Sequence, residues 1–326
     1  MPRRFPGFLL AVCLAACAGK APPIPEPAPP GEGELTLFLI GDAGESRPGG
    51  DPVLLALSSE IAGVSGRSIA VFLGDNIYPR GLPSEEASDR KEMERRLLDQ
   101  VEAVKGADRA LFVPGNHDWD TAGKDGWSSM LRQNELVRKH GDEGRVVVSP
   151  RDACPGPEVI ELGSELTLIT LDTAWWLHGH ERPGPENCDT GTEEAVLRKL
   201  RDSLASKQGR HAVVVSHHPL LSSGPHGGYF GWQDHLFPLS RLHDLAWLPL
   251  PGIGSLYPLI RNLGVTAQDL SSSEYQAMRE ALVEACRDNP PLAFAGGHEH
   301  TLEALKGDVV PNLLVSGAGF YGHTNA

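Results

Sequence analysis

Long apolar runs are almost absent from this chain of 326 residues. The exception is FLLAVCLAA at residues 8–16, which follows the basic segment MPRRFPG. A basic start, a short apolar run and small residues before a cut site are typical of a secretory signal peptide. The sequence therefore predicts a signal peptide at residues 1–16, and no later run is long enough to span a bilayer.

Basic residues are also scarce. The 29 lysines and arginines are outnumbered by 43 aspartates and glutamates, and the formal net charge is −14. Nucleic-acid binding requires a basic surface to face the phosphate backbone, so this balance argues against it. Small phosphorylated substrates are not excluded, because bound cations can supply the missing positive charge.

Cysteine is the third scarcity, with five in the chain. The stretch LAAC at residues 14–17 resembles a bacterial lipobox. This implies cleavage before Cys17, lipidation of that cysteine, and anchoring to the cell membrane or outer membrane, facing the periplasm or the exterior. An ordinary secretory signal, cut at a nearby small residue, is the alternative. Cys154 and Cys188 flank loop-like segments and form a candidate disulfide, although spacing alone does not establish the pairing.

Proline is concentrated just after this cysteine. Residues 17–34 carry six prolines between Pro22 and Pro30. Such a segment is extended and semi-rigid, which suits a spacer between a membrane and a folded domain. The remaining residues, 35–326, have the length of one large α/β domain or two small ones.

Strand-like and helix-like segments alternate along this domain. Short runs rich in Val, Ile, Leu and Phe are typical of buried strands, and the segments between them show helical spacing. The strands are predicted at 35–40, 68–74, 109–113, 211–216, 292–297 and 312–317, with a hairpin at 158–172 and helices at 51–64, 84–105, 192–207 and 272–287. The pattern predicts an α/β fold.

Five of these strands end at a small residue followed at once by polar side chains. The five stretches are GDAG with Asp42, GDNIY with Asp75 and Tyr78, GNHD with Asn116, SHHP with His217, and GHEH with His298 and His300. The carboxyl ends of strands in open α/β sheets face the ligand crevice, so these side chains are expected to converge. Carboxylate, amide and imidazole groups suit Fe, Mn or Zn. One such turn means little, but five in series predict a binuclear metal site.

The ordered set of stretches resembles the calcineurin-like metallophosphoesterases, from about residue 35 to the C-terminus, and in particular their purple acid phosphatase branch. Most members have a metal-binding histidine at the position of Gly44, whereas the purple phosphatases have glycine there and use a tyrosine, here Tyr78. The resemblance implies a four-layer α/β/β/α sandwich of two mixed sheets flanked by helices. The spacing between His217 and His298 exceeds that of compact members, which implies an insertion or cap at about 230–280.

The resemblance also implies two metal sites. The first takes Asp42, Asp75, Tyr78 and His300, and the second takes Asp75 as a bridge together with Asn116, His217 and His298. In SHHP the implied ligand is His217 and not His218. A phenolate ligand near neutral pH requires a strongly polarising cation, so Fe(III) is expected at the first site. The second site is expected to hold Fe(II), Zn or Mn, which the ligand types do not separate.

The implied activity is that of an acid phosphatase, hydrolysing phosphomonoesters by in-line attack of a metal-bound hydroxide. His117 is the implied acid outside the ligand set, which aids protonation of the leaving oxygen or holds the phosphoryl group. His226 matches a substrate-binding histidine of the branch, with an ordinary loop histidine as the alternative reading. Two other functions stay open: a phosphodiesterase or nucleotide pyrophosphatase on the same centre, and a lipoprotein that binds a ligand without turnover. The natural substrate and the oligomeric state are not encoded in these stretches.

Overall fold

The structure is a computed structural model, and it describes residues 35–142, 144–206, 209–241 and 247–320. The predicted signal peptide at 1–16, Cys17 and the linker at 17–34 lie outside these residues. None of the described helices has the length and apolar character that a bilayer crossing needs.

The first sheet contains four strands that all run parallel, in the order β1-β2-β3-β4. Three helices cover its outer face, so its strands are apolar on both sides. The strands are β1 (Leu35–Ile40), β2 (Arg67–Leu73), β3 (Arg109–Val113) and β4 (Val146–Val148), and the helices are α1 (Pro52–Gly63), α2 (Arg90–Ala103) and α3 (Gly126–His140).

The second sheet is mixed, in the order β5-β6-β7-β8-β10-β9, with an antiparallel strand at each edge. Its strands are β5 (Glu158–Glu161), β6 (Leu166–Thr170), β7 (His211–Val215), β8 (Ala293–Gly296), β9 (Leu302–Leu305) and β10 (Leu313–Ser316). The short helix α4 (Thr173–Leu177) follows β6, and α5 (Glu193–Ala205) and α8 (Ser273–Cys286) cover the outer face.

The two sheets pack against each other through alternate side chains of their strands. Along β2, Ile69, Val71 and Leu73 face the second sheet, while Ala70 and Phe72 face the helices. This alternation follows from the two-residue repeat of a strand. The four layers are therefore helix, sheet, sheet and helix, and the predicted α/β sandwich is confirmed, with the mixed pairing in the second sheet.

Several elements were not predicted from the sequence. Helix α3 and strand β4 fall in a stretch with no prediction, and α2 begins at Arg90 because residues 84–89 form turns. Helical spacing was present in α3, whose Met130 and Val137 are buried against the first sheet. Strand β4 has three residues, too few for a periodic pattern.

The predicted insertion contains two short helices, α6 (Trp232–Leu236) and α7 (Leu256–Asn262). Its last predicted residues belong instead to α8, where Tyr275 and Met278 pack in the core against the second sheet. Hereafter "the insertion" means residues 230–272.

Cys154 and Cys188 form a disulfide whose Cα atoms are 5.7 Å apart. It joins the loop before β5 to the loop before α5 across a sequence separation of 34 residues. Cys286 is free and buried in α8, where burial raises the pKa of its thiol to about 12. The disulfide that was left open at the sequence level is therefore present in the structure.

Replacing both Cys154 and Cys188 with serine is expected to lower the free energy of unfolding by about 2–4 kcal/mol, because the unfolded chain regains the freedom of the closed loop. Urea unfolding of the wild type and the double variant measures the difference. A reducing agent should bring the wild type down to the stability of the variant and leave the variant unchanged. Equal stability of the wild type and the variant in the absence of a reducing agent would contradict the disulfide.

Candidate metal centre

Seven polar side chains meet where strands of both sheets end. The first sheet supplies Asp42 after β1, Asp75 and Tyr78 after β2, and Asn116 after β3; the second sheet supplies His217 after β7, and His298 and His300 after β8. The structure thus brings together all seven residues that the sequence suggested as metal ligands. They separate into two groups that share Asp75.

The first group surrounds the hydroxyl of Tyr78. This oxygen lies 3.0 Å from Oδ1 of Asp42, 3.0 Å from Oδ2 of Asp75 and 3.2 Å from Nε2 of His300. The same His300 nitrogen lies 3.4 Å from Oδ1 of Asp42. Two carboxylates, a phenol and an imidazole therefore direct one atom each at a common point.

The second group surrounds the side-chain oxygen of Asn116. Nε2 of His217 lies 2.9 Å from this oxygen, and Nδ1 of His298 lies 3.1 Å from it. The two histidine nitrogens are 3.2 Å apart, and the His217 nitrogen is 3.4 Å from Oδ1 of Asp75. Asp75 consequently turns one oxygen to each group and is the side chain that would serve both sites.

Each of the two buried histidines is held by a backbone carbonyl at its other nitrogen. Nδ1 of His217 donates to the carbonyl of Leu73 at 2.8 Å, and Nε2 of His298 donates to the carbonyl of Gln268 at 2.7 Å. The two rings therefore present opposite nitrogens, each as a lone pair, to the centre.

His218 lies close enough to form a cluster with His217 and His298. Its Nδ1, however, lies 2.9 Å from the hydroxyl of Thr173, and its Nε2 lies 2.8 Å from Oε1 of Gln268. Since both nitrogens have protein partners, the geometry favours His217 over His218 as the ligand, in line with the sequence reading.

A family model for the calcineurin-like phosphoesterases matches residues 35–302. This chain belongs to that family.

Similar proteins include Purple acid phosphatase 17 of Arabidopsis thaliana, which is 25% identical over 221 residues. The match covers 64% of this chain and 59% of that protein. Among solved structures, GAP50, the anchor in the inner membrane complex of Plasmodium, has a TM-score of 0.49 at 15% identity. The match covers 89% of this chain and 75% of the GAP50 chain. A dimetal phosphatase from Danio rerio has a TM-score of 0.44 at 15% identity, and the match covers 87% of this chain and 88% of the phosphatase chain.

The resemblance to calcineurin-like phosphoesterases expected from the sequence is thus confirmed at the level of the family. The family is one of metal-dependent phosphoesterases with two metal ions, and its requirement can be compared with the side chains found here. The side chains of this family member fit that requirement, because carboxylate, phenol, amide oxygen and imidazole suit Fe, Mn or Zn.

The electrostatics of the centre also fit cations. Burial, together with the carboxylates of Asp42 and Asp75, raises the pKa of the Tyr78 hydroxyl well above its ordinary value. Burial, together with neighbouring histidines, lowers the pKa of His298 well below its ordinary value. The imidazole is therefore neutral and able to donate a lone pair, and Tyr78 ionises only if a cation offsets the two carboxylates.

Three residues of the centre have backbones in the left-handed region. Asp42, Asp75 and His298 have φ angles of 61°, 54° and 68°. Residues other than glycine rarely adopt this conformation, which costs about 1–3 kcal/mol each and is concentrated at functional sites. The three left-handed backbones are a second feature of this candidate centre, independent of its residue types, that no sequence pattern revealed.

Two glycines allow the loops of the centre to approach closely. A Cβ at Gly44 would meet the backbone of residues 75–77, and the Gly44 carbonyl accepts from the Tyr78 amide at 3.0 Å. A Cβ at Gly115 would meet the amide nitrogen and carboxylate of Asp75. The Gly44 that distinguishes the purple phosphatase pattern therefore lets the GDAG loop pack directly on the tyrosine loop.

Asp118, the last residue of GNHD, joins two loops. Its buried carboxylate accepts from the backbone amides of Gly115 at 2.7 Å, Asn76 at 3.0 Å and Ile77 at 3.2 Å. Burial, with the nearby charge of Asp75, raises its pKa well above the ordinary value. Asp118 holds the GDNIY loop against GNHD, and the bonds described for it do not include the His117 ring.

His117 borders the first group of ligands. Its amide donates to Oδ1 of Asp75 at 2.8 Å, and its ring centroid lies 4.3 Å from that of Tyr78. Nδ1 lies 2.6 Å from the Pro79 carbonyl, to which it donates, and Nε2 lies 3.9 Å from Oδ2 of Asp75. The ring is thus positioned with Nε2 toward the centre and part of its surface open to solvent.

The predicted substrate-binding residue, His226, lies against the second group. Its ring centroid is 4.1 Å from that of His298, and its Nδ1 is 3.0 Å from Oδ1 of Asp269 and 3.1 Å from Nη2 of Arg261. Arg261, Gln268 and Asp269 all come from the insertion. Sequence reasoning missed these three, because they follow no strand and match no recurring pattern.

The two adjacent histidines offer a matched test of metal binding. His217→Ala should lower the bound metal from two equivalents toward one, because it removes a ligand of the second group. His218→Asn should retain both equivalents, because His218 contacts protein groups only. Elemental analysis of the purified variants measures both stoichiometry and metal identity, and full occupancy in His217→Ala would contradict the assignment.

Proposed function

We propose that this protein is a binuclear metal-dependent phosphatase that hydrolyses phosphomonoesters, with specificity like that of acid phosphatases. The observation that carries the proposal is the convergence of Asp42, Asp75, Tyr78 and His300 on one point beside a second group that shares Asp75. A tyrosine ligand combined with Gly44 is the pattern of the purple phosphatases. The similarity to Purple acid phosphatase 17 supports the same choice.

The first group, centred on Tyr78, would hold Fe(III), and the second, centred on Asn116, would hold Fe(II), Zn or Mn. When bound, the two cations would offset the charge of the phosphoryl group and supply a nucleophile at neutral pH. The backbone amide of His298 donates to Oδ2 of Asp42 at 2.8 Å, so that carboxylate keeps its other oxygen toward Tyr78. This hydrogen bond connects Asp42 of the first group to His298 of the second.

His117 is proposed as the general acid. Its hydrogen bond to Pro79 fixes the ring and the tautomer, so Nε2 is the nitrogen that would deliver a proton to the leaving oxygen. Since 27% of its side chain remains exposed, the ring can recover a proton from solvent after each turnover.

His226 is proposed to bind the substrate. Its Nδ1 lies within hydrogen-bond distance of both Asp269 and Arg261, so it can donate to the carboxylate or accept from the guanidinium, and no partner for Nε2 is seen among the described residues. With Nδ1 accepting from Arg261, the Nε2 of a ring that contacts His298 would carry the proton and donate to a phosphoryl oxygen at the edge of the centre.

We also propose that the protein is exported and lipid-anchored through Cys17, at the cell membrane or outer membrane, facing the periplasm or the exterior. The lipobox-like LAAC and the proline-rich spacer support this placement. Its partners would be the membrane and a small phosphorylated substrate, with no nucleic acid, because the chain is strongly acidic.

A test of the catalytic proposal compares an aryl phosphate monoester with the corresponding diester. The metal-loaded protein should hydrolyse the monoester with the higher kcat/KM, and His117→Ala should slow turnover by about 10²–10⁴-fold with its metal content unchanged. The exposed His140, replaced with alanine, serves as the control and should leave the rate unchanged.

A preference for the diester would favour the phosphodiesterase alternative. Two bound metals without hydrolysis of either ester would favour a binding lipoprotein. Loss of metal in His117→Ala would show that His117 acts in metal binding and not in proton transfer.

The anchor is tested by fractionation of the native host or a bacterial expression strain. The wild type should partition with membranes and carry the added mass of the lipid at its N-terminal cysteine, whereas Cys17→Ala should lack that mass. An unmodified Cys17 in a secreted wild-type protein would establish the ordinary signal peptide instead.

A further inference from the structure

The insertion and the loop that leads to it expose an unusual amount of apolar surface. Of the sixteen large apolar side chains that are exposed among the described residues, eleven fall between residues 221 and 265. The remaining five are scattered over other elements. Single exposed apolar side chains are ordinary, but a contiguous patch marks a surface that meets another protein or a membrane.

Helix α7 forms the centre of this patch. Leu256, Leu259, Ile260 and Leu263 follow the spacing of one helix face and are 52%, 52%, 49% and 69% exposed. In a soluble protein such a face normally turns toward the core. Here it points to solvent, and Ile253 and Val265 extend it at 66% and 71% exposure. These six residues are called the apolar face below.

The opposite side of α7 contacts His226, which borders the second group. The guanidinium of Arg261 binds both carboxylate oxygens of Asp269, with Nε 2.6 Å from Oδ2, and its Nη2 lies 3.1 Å from Nδ1 of His226. The ring of His226 in turn contacts that of His298, with centroids 4.1 Å apart. Helix α7 and the side chains of Arg261 and His226 therefore lie between the apolar face and the centre.

Helix α6 continues the apolar face on one side. The Leu250 amide donates to the Leu236 carbonyl at 2.7 Å, and Nδ1 of His235 lies 3.1 Å from the hydroxyl of Ser255. Trp232, at the start of α6, is 68% exposed. The edge of the patch thus carries an aromatic side chain of the kind that settles at membrane–water interfaces.

We propose that the apolar face docks on the surface of a lipid bilayer. Residues 247–260, WLPLPGIGSLYPLI, contain no charged side chain in a chain whose net charge is −14. A second copy of this chain would bring two strongly acidic molecules together, whereas a zwitterionic bilayer opposes no charge. An apolar surface with an aromatic edge and no charge matches the interfacial region of a bilayer.

The chain before β1 supports the same partner, and this step rests on the proposed anchor at Cys17. The linker at 17–34 is proline-rich, and at about 3.1 Å per residue it would hold the domain within roughly 55 Å of the bilayer. Docking of the apolar face would then leave α7, Arg261 and His226 between the lipid headgroups and the metal centre.

The test uses the full-length, metal-loaded protein mixed with phosphatidylcholine vesicles whose acyl chains are brominated, since bromine quenches tryptophan on contact. The emission of Trp232, obtained as the difference between wild type and Trp232→Phe, should be quenched in brominated vesicles and not in unbrominated ones. Leu256→Asp combined with Leu259→Asp should abolish this quenching. Acidic residues in the first turn of a helix agree with its dipole, so α7 is expected to persist.

A matched control places aspartate at two leucines elsewhere that are more exposed than Leu256 and Leu259, namely Leu55 in α1 and Leu302 in β9, at 64% and 74%. This variant should be quenched like the wild type.

Protein that is retained on the vesicles while Trp232 stays unquenched would overturn the docking and leave the anchor intact. Self-association in the absence of lipid that the α7 variant abolishes would assign the face to a second copy and also overturn the proposal. Hydrolysis of a soluble aryl phosphate is expected to be equal in all these variants, so failure of the phosphatase proposal would be seen separately.

Discussion

The two halves of the centre depend on one buried carboxylate. Asp75 contacts Tyr78 through Oδ2 and His217 through Oδ1, and no other described side chain contributes an atom to both groups. Tyr78 comes from the first sheet and His217 from the second. The distance between them is therefore set by the apolar layer between the sheets, where Leu73 and Val215 pack. A change in the packing of that layer would move the ligands of one group relative to those of the other.

Hydrogen bonds from residues that are not metal ligands hold the buried polar side chains of the centre in one orientation. The carbonyls of Leu73 and Gln268 select the nitrogen that each buried histidine presents, and Asp118 holds two loops together through their backbone amides. Left-handed backbones at three ligand positions show that the surrounding structure, and not local preference, imposes these conformations. These bonds fix the positions of the ligand side chains relative to one another, as a metal site requires of the residues around its ligands.

The insertion connects the centre to the outer surface of the protein. Through Gln268 and Asp269 it holds His298 and His226, and through α7 it exposes a row of leucine and isoleucine side chains. The resemblance to purple phosphatases implied an insertion or cap here from the spacing of two histidines. In the structure its described residues hold the second group through Gln268 and expose the apolar face of α7.

Most strand segments, the strand-end stretches and the family were determined by the sequence alone, because these are local patterns and the ligands lie just after apolar runs. The separation of the ligands into two groups was implied by the family resemblance and not by the residues themselves. Only the tertiary structure decided which nitrogen each histidine presents, what Asp118 binds, and which face of α7 is exposed. These depend on contacts between residues far apart in the chain, such as Asp118 with Asn76 or His298 with Gln268, and no local pattern records such contacts.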